Sequence, residues 1–399
     1  MDPLNGKHIG LILSGGGARA AYQVGVLRAI AESLPPGCHN PFHIICGTSA
    51  GGLNAAGLAS HAHCLQDGIT MLEDVWGQFR TEQVYRTDWP GVVHRAIRWL
   101  WTIAFGRLRR DLPVSLLDNS PLRTLLDAHL PLERIQHAID QGLLDALCIT
   151  ASGYSTGESV SFFQGAAHLD GWSRSRRVGI RTAISVDHLL ASAAIPMLFP
   201  AVRVNREYFG DGAIRQHAPI SPALHLGAER IMVIGVGGQF SKLEREKALS
   251  YPSIAQIVSH ILSSSFVDSL EADIELLTRV NRTIGLIPED VRHLSSLRPV
   301  DVMVITPSAQ VLDTIAMRHA DRLPKSIRMF VRGSEATQRS GSGVLSYLLF
   351  EAAYCQDLMQ LGYADGCERK EELKKFFNIE NTAPEKPASN VVEFRRNEA

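Results

Sequence analysis

The sequence predicts an α/β fold in which buried strands alternate with helices. Three observations carry this prediction. Two short apolar runs, His8–Leu13 and Phe42–Ile45, each lead through a glycine-rich turn into a helical stretch. Two further apolar runs, Glu229–Val236 and Val300–Pro307, read as fully buried strands late in the chain. Of the 399 residues, 45% are hydrophobic, enough for one large core or two average ones.

The first unit runs from the strand His8–Leu13 through Ser14-Gly15-Gly16-Gly17-Ala18-Arg19 into a helix over 20–31. Strand, triple glycine and helix make a cradle of backbone N–H groups that favours negative charge. The spacing Gly15-x-Gly17-x-x-Ala20 also loosely fits a dinucleotide fingerprint. That fingerprint wants an acidic residue closing the second strand, and here the second strand closes in Gly47-Thr48-Ser49. The glycines instead suit an oxyanion hole, in which N–H groups meet a carbonyl oxygen as it becomes negative. Arg19, a cation in the first turn of this helix, is a candidate anion or phosphate contact or a plain solvated arginine.

The second unit places Gly47-Thr48-Ser49-Ala50-Gly51 between a strand and a small-residue helix, the arrangement of a nucleophile elbow. Ser49 is the candidate nucleophile. Gly47 and Gly51 sit where a side chain would collide with the neighbouring strand or helix. The Ala50 N–H is a further oxyanion donor.

Residues 61–91 read as helix and loop. The stretch 92–110 carries five arginines, Trp99 and Trp101, and no acid. On a helical wheel Arg95, Arg98, Thr102 and Arg109 oppose Val93, Ile97, Leu100, Trp101, Ala104 and Leu108. This fits a helix lying in a membrane interface, and equally an amphipathic helix packed on the core. Short strands follow over 145–151 and 159–163, then a helix over 186–194 stopped by Pro196. The strand ending in Tyr208-Phe209-Gly210-Asp211-Gly212-Ala213 holds the strongest carboxylate candidate, Asp211. Beyond it, 253–281 reads as one long helix, 342–361 as another, and 368–378 as a charged helix. Residues 379–399 carry few large apolar groups and are expected to be disordered.

Taken in order, Gly15-Gly16-Gly17-x-Arg19, Gly47-Thr48-Ser49-Ala50-Gly51 and Asp211-Gly212-Ala213 resemble the motifs of bacterial patatin-like phospholipases. Ala191-Ser192-Ala193-Ala194-Ile195-Pro196 and His217-x-Pro219 are also similar. The resemblance spans residues 7–225. It departs at Ala213, where many members carry Gly, and at His217, where Asn is frequent. It implies a three-layer α/β/α fold with a mostly parallel central sheet. It also implies a catalytic unit over 7–225 with a helical insertion at about 61–130. Residues 226–378 then form a C-terminal extension that completes the core. The chemistry implied is a Ser49–Asp211 dyad without a catalytic histidine, acting on fatty-acyl esters of membrane lipids, with neither cofactor nor metal. The same acyl-enzyme would serve an acyltransferase, and the fold alone would serve a non-catalytic lipid-binding protein.

The remaining chemistry is excluded on composition. With 40 Lys and Arg against 41 Asp and Glu, net charge is −1, so nucleic acid is not an expected partner. The six cysteines are scattered, which reads as reduced thiols rather than a disulfide framework or zinc site. The apolar run at 9–13 is too short for a signal-peptide core and no run reaches 18 apolar residues, so a cytoplasmic protein is expected, at most peripheral at a membrane.

Overall fold

The computed structural model describes residues 8–35, 37–86, 115–237, 254–292, 294, 297–323 and 342–379. Segment 92–110 and all but the first residue of 379–399 lie outside these.

Among the described residues, one sheet of ten strands organises the molecule. In chain order they are β1 (Ile9–Leu13), β2 (Ile44–Thr48), β3 (Ala146–Gly153), β4 (Ser159–Gly165), β5 (Trp172–Arg174), β6 (Arg177–Arg181), β7 (Val202–Val204), β8 (Glu207–Asp211), β9 (Arg230–Ile234) and β10 (Asp301–Ile305). The spatial order is β10-β9-β1-β2-β3-β4-β6-β5, with β8 paired to β3 and β7 to β8. The five strands from β10 to β3 are mutually parallel. β4 turns antiparallel on β3. The mixed α/β architecture with a mostly parallel centre is the one the sequence predicts.

Both sheet faces are covered, as parallel strands require. Leu11, Leu13, Ile45, Leu147, Met232 and Ile234 point into one core, shared with helices α1 (Ala21–Ser33), α2 (Ala50–Ala59), α3 (Leu65–Gly77) and Ala352–Glu368. Ile12, Ile44, Cys46, Cys148, Ile231 and Val233 point the other way, onto Ala223 and Leu270. The alternation along each strand therefore fills two cores at once.

Two expectations are corrected, and a third feature goes beyond what the sequence predicts. The helix expected over 253–281 is helical but not uniform: Ile254–Ser263 and Ser269–Gly285 are joined by a π-helical turn, Ser264–Asp268. The wider turn changes the helix phase, so Phe266 and Val267 are both buried while Ile257 and Ile261 stay 43% and 54% exposed. The helix expected over 342–361 breaks into Ser342–Leu348 and Ala352–Glu368. Phe350, in the break, packs against the rings of Trp76, Phe79 and Tyr85, and the Glu351 carboxylate accepts from the Thr81 hydroxyl. Tertiary packing overrides local propensity there. The ribbon β5–β6 is the third: its strands are short and arginine-rich, and nothing in their pattern announces it. Among the described residues no helix is long and apolar enough to cross a membrane.

Candidate functional site

Strand register brings Ser49 and Asp211 together. Along one edge of β3, β2 pairs as far as Thr48 opposite Thr150. β8 then takes the same lane in the opposite direction, starting with Asp211 opposite Ala151. Thr150 and Ala151 are consecutive, so the ends of β2 and β8 meet head to head. The turn after β2 carries Ser49 and the last residue of β8 is Asp211.

Ser49 caps α2 with φ 54° and ψ −131°. A non-glycine residue held at positive φ costs on the order of 1–3 kcal/mol and persists where the surroundings fix it. The turn is tight enough that a Cβ on Gly51 would fall 2.3 Å from the Leu13 carbonyl oxygen. Gly47 packs as closely on Gly51, and Gly212 on the Thr150 carbonyl. The buried Ser49 N–H is satisfied by the Ser192 hydroxyl at 2.8 Å.

Asp211 is wholly buried and Ser49 is 2% exposed. One carboxylate oxygen, Oδ1, accepts from the Ala213 N–H at 3.0 Å. The other, Oδ2, is buried without a direct hydrogen-bond partner among the described residues. Burial pushes the Asp211 pKa up to about 7, against the pull of the Ser49 hydroxyl and the Ala213 N–H, which favour the charged form. A carboxylate so tuned is a far better base than a free aspartate. Around it runs a closed polar net. Thr48 Oγ1 donates to Gln216 Oε1 at 2.6 Å, Gln216 Nε2 donates to Thr150 Oγ1 at 3.3 Å, and Ser152 Oγ donates to the Asp211 carbonyl at 2.8 Å.

The glycine loop lies across from this pair. A Cβ on Gly15 would sit 3.0 Å from the Ser49 Cβ and 2.7 Å from the Phe266 ring. Gly17 has φ +54°, and a Cβ there would fall 2.2 Å from the Tyr347 carbonyl oxygen. Among the described residues, the N–H groups of Gly15, Gly16, Gly17 and Ala50 donate no hydrogen bond. Behind the loop, Gln23 Nε2 donates to the Ser14 carbonyl at 2.9 Å, and Asn54 holds Gln23 in turn.

Arg19 is placed differently from the expected anion contact. It is 4% exposed, with its guanidinium over the Tyr347 ring at 4.2 Å. It donates to Ser346 Oγ at 2.8 Å and reaches Asp313 at 3.4 Å. These contacts make it a clamp between the loop and the C-terminal helices. His217 is exposed, while its neighbour Gln216 joins the site's net. Gln216, Thr150, Ser152 and Phe266 are contributors that motif reasoning does not reach, and Ser192, which stands within a family-like motif, is given no role by it. Ser192 alone left a signal, as the one hydroxyl in an alanine run. Among the described residues no group of His, Cys, Asp and Glu could hold a metal ion.

Comparison with known proteins gives the family. Residues 11–224 match the family model described as patatin-like phospholipase. A cGAMP-activated phospholipase of Pseudomonas aeruginosa is 30% identical over 215 residues, covering 54% of this chain and 55% of the relative. Patatin-like phospholipase domain-containing protein 7 of Rattus norvegicus is 41% identical over 81 residues, 20% of this chain and 6% of that protein. The match thus spans about half the length of the first relative and a small part of the second. Among solved structures, human GIVD cytosolic phospholipase A2 is 12% identical with a TM-score of 0.43, covering 94% of this chain and 60% of that one. VipD from Legionella pneumophila is 13% identical with a TM-score of 0.31, covering 88% and 67%. With more than half of its length matched by the family model, the chain belongs to the patatin-like phospholipases.

Proposed function

We propose that this protein is a serine lipid acyl hydrolase that cleaves fatty-acyl esters through Ser49 and Asp211. The observation that carries the reading is the lane change on β3, which sets the elbow serine against a buried carboxylate with one free oxygen. Ser49 Oγ attacks the ester carbonyl carbon while Asp211 Oδ2 takes its proton. The carbonyl oxygen, now negative, accepts hydrogen bonds from the free N–H groups of Gly15, Gly16, Gly17 and Ala50. As the tetrahedral intermediate collapses, Asp211 returns the proton to the departing alcohol or lysolipid. Water, deprotonated by Asp211, then attacks the acyl-enzyme; the proton passes back to Ser49 and the fatty acid leaves.

Ser49 and Asp211 are both covered, so an ester reaches them only after a side chain moves. Phe266 is the candidate, because its ring and the Ser49 Cβ both flank the space where a Cβ on Gly15 would stand. Delivery to the lipid surface falls to segment 92–110, on the strength of its arginines and paired tryptophans. Liposome flotation that is unchanged in the double variant Trp99→Ala/Trp101→Ala would remove that assignment.

The test is fatty-acid release from mixed phospholipid and lysophospholipid micelles, with chelator present. Ser49→Ala and Asp211→Asn should each lose activity by about four orders of magnitude, and the products name the bond cleaved. Activity surviving either change places the chemistry elsewhere.

A further inference from the structure

Ser192 is the last residue of the helix Val186–Ser192 and is fully buried. Its hydroxyl makes two short bonds, accepting from the Ser49 N–H at 2.8 Å and donating to the Thr150 carbonyl at 2.6 Å. Two residues later the Ala194 carbonyl accepts from the Asp211 N–H at 2.8 Å. One short segment therefore grips the backbone of both reacting residues. Its anchor is the point on β3 where β2 gives way to β8. The Thr150 carbonyl receives Ser192 there and has Gly212 packed against it, since a Cβ on Gly212 would come within 2.1 Å.

We propose that Ser192 is a positioning residue, holding the Ser49 turn at the distance from Asp211 that proton transfer needs. The inference rests on the reading of Ser49 as nucleophile and adds a part that reading does not require. Ser49 stands at positive φ, so its turn relaxes unless something holds it. Its N–H is buried and needs an acceptor, and the Thr150 carbonyl needs a donor. A serine hydroxyl satisfies both at once. Alanine would satisfy neither, and would leave two buried backbone groups free to shift the turn. A displacement of about 1 Å at a reacting group can cost about a hundredfold in rate.

The experiment compares the wild type with Ser192→Ala, and with Ser60→Ala as a control. Ser60 is an equally buried serine, bonded to the Gly57 carbonyl and to its neighbour His61, with no contact to the site. Three quantities are read: kcat and KM on a soluble acyl ester, the pH dependence of kcat/KM, and the rate of labelling by a fluorophosphonate. For Ser192→Ala, kcat and the labelling rate should fall about 10–100-fold with KM within twofold. The acid limb of kcat/KM should move to higher pH, because a loosened Ser49 no longer helps keep Asp211 charged. Ser60→Ala should change none of these, whatever it does to thermal stability. A Ser192→Ala enzyme with an unshifted pH profile and wild-type labelling overturns the proposal. If Ser192→Ala does not fold, Ser192→Cys takes its place. A thiol bonds weakly, so a smaller shift of the same sign supports the role and an unshifted limb overturns it. Wild-type activity that persists in Ser49→Ala would instead overturn the reading of the site itself.

Discussion

The two walls of the site are built in different ways. The Ser49–Asp211 wall stands on strand ends and a polar net drawn from β2, β3, β8 and the 192–194 segment, all within residues 48–216. The glycine loop on the other wall is held from far along the chain. Tyr347 closes on Gly17, Arg19 reaches Ser346 and Asp313, and Phe266 and Val236 press on Gly15 and Gly16. The groups proposed to make and break bonds are thus fixed by hydrogen bonds that stay within the first part of the chain, even where, as for Ser49 and Ser192, the partners stand 143 residues apart. The groups that would stabilise charge are fixed by packing against residues from Val236 to Tyr347. Damage to the first wall should strike the chemistry, and damage to the second should strike folding and chemistry together.

The largest expected effect on the second wall is Gly17→Ala. A methyl group cannot fit 2.2 Å from a backbone oxygen, and the φ of +54° adds strain. We expect destabilisation of about 2–4 kcal/mol and near-complete loss of fluorophosphonate labelling, read by chemical denaturation and mass spectrometry. Wild-type labelling in this variant would break the contrast between the walls.

On the first wall, the pH dependence of activity and of stability should run in opposite directions. A base acts only when charged, so with Asp211 in that proposed role kcat/KM should rise through about pH 7 and level off above it. Its folded-state pKa is raised above that of an unfolded carboxylate. The stability it lends is therefore complete below about pH 4 and is lost as pH rises through about 7. Asp211→Asn should accordingly be more stable than wild type at pH 8, by roughly 1–4 kcal/mol, with the advantage shrinking toward pH 4. Thermal melts across that range measure it, and a constant difference would refute it.

Arg19→Gln should cost about 1–3 kcal/mol by freeing the clamp on Ser346 and the Tyr347 ring, with a smaller loss of kcat than any change at Ser49. If lipid binding fell while stability held, Arg19 would after all meet the substrate. The smallest effect belongs to Phe266→Ala. Removing the ring should speed hydrolysis of short soluble esters about two- to fivefold and leave long-chain lipid rates little changed. A slower short-ester rate would show that the ring shapes the site rather than covering it.

The sequence makes one wall far more legible than the other. The glycines of the elbow, Ser49 and Asp211 are visible because strained turns admit few residue types, and those types recur at fixed spacing. Strands β1, β2 and β9 are visible because burial on both faces demands unbroken apolar runs; β10, expected as fully buried, carries a similar run but lies at the sheet edge and is only partly buried. Gln216 is hidden, and the role of Ser192 is hidden although its motif is not, because a polar residue satisfied by tertiary partners looks, in sequence, like any other turn or helix-end residue. The π turn at Ser264–Asp268 is hidden because its cause is three-dimensional. Phe266 and Val267 must both face inward, over Gly15 and Gly237. Arg19 shows the reverse failure. Its place beside the glycines suggests an anion, and only the partners supplied by residues 313–347 reveal a clamp.

The lane order has a consequence for synthesis of the chain. β1 is made before both of its neighbours, β2 on one side and β9 on the other. The β9 edge stays unpaired until residue 234 has been made, roughly 10–45 s later at 5–20 residues per second. The loop that follows β1 waits longer still, for Ser346 and Tyr347. A nascent chain stalled short of residue 346 should resist fluorophosphonate even with Ser49 and Asp211 both present, because the partners that hold the glycine loop are not yet made.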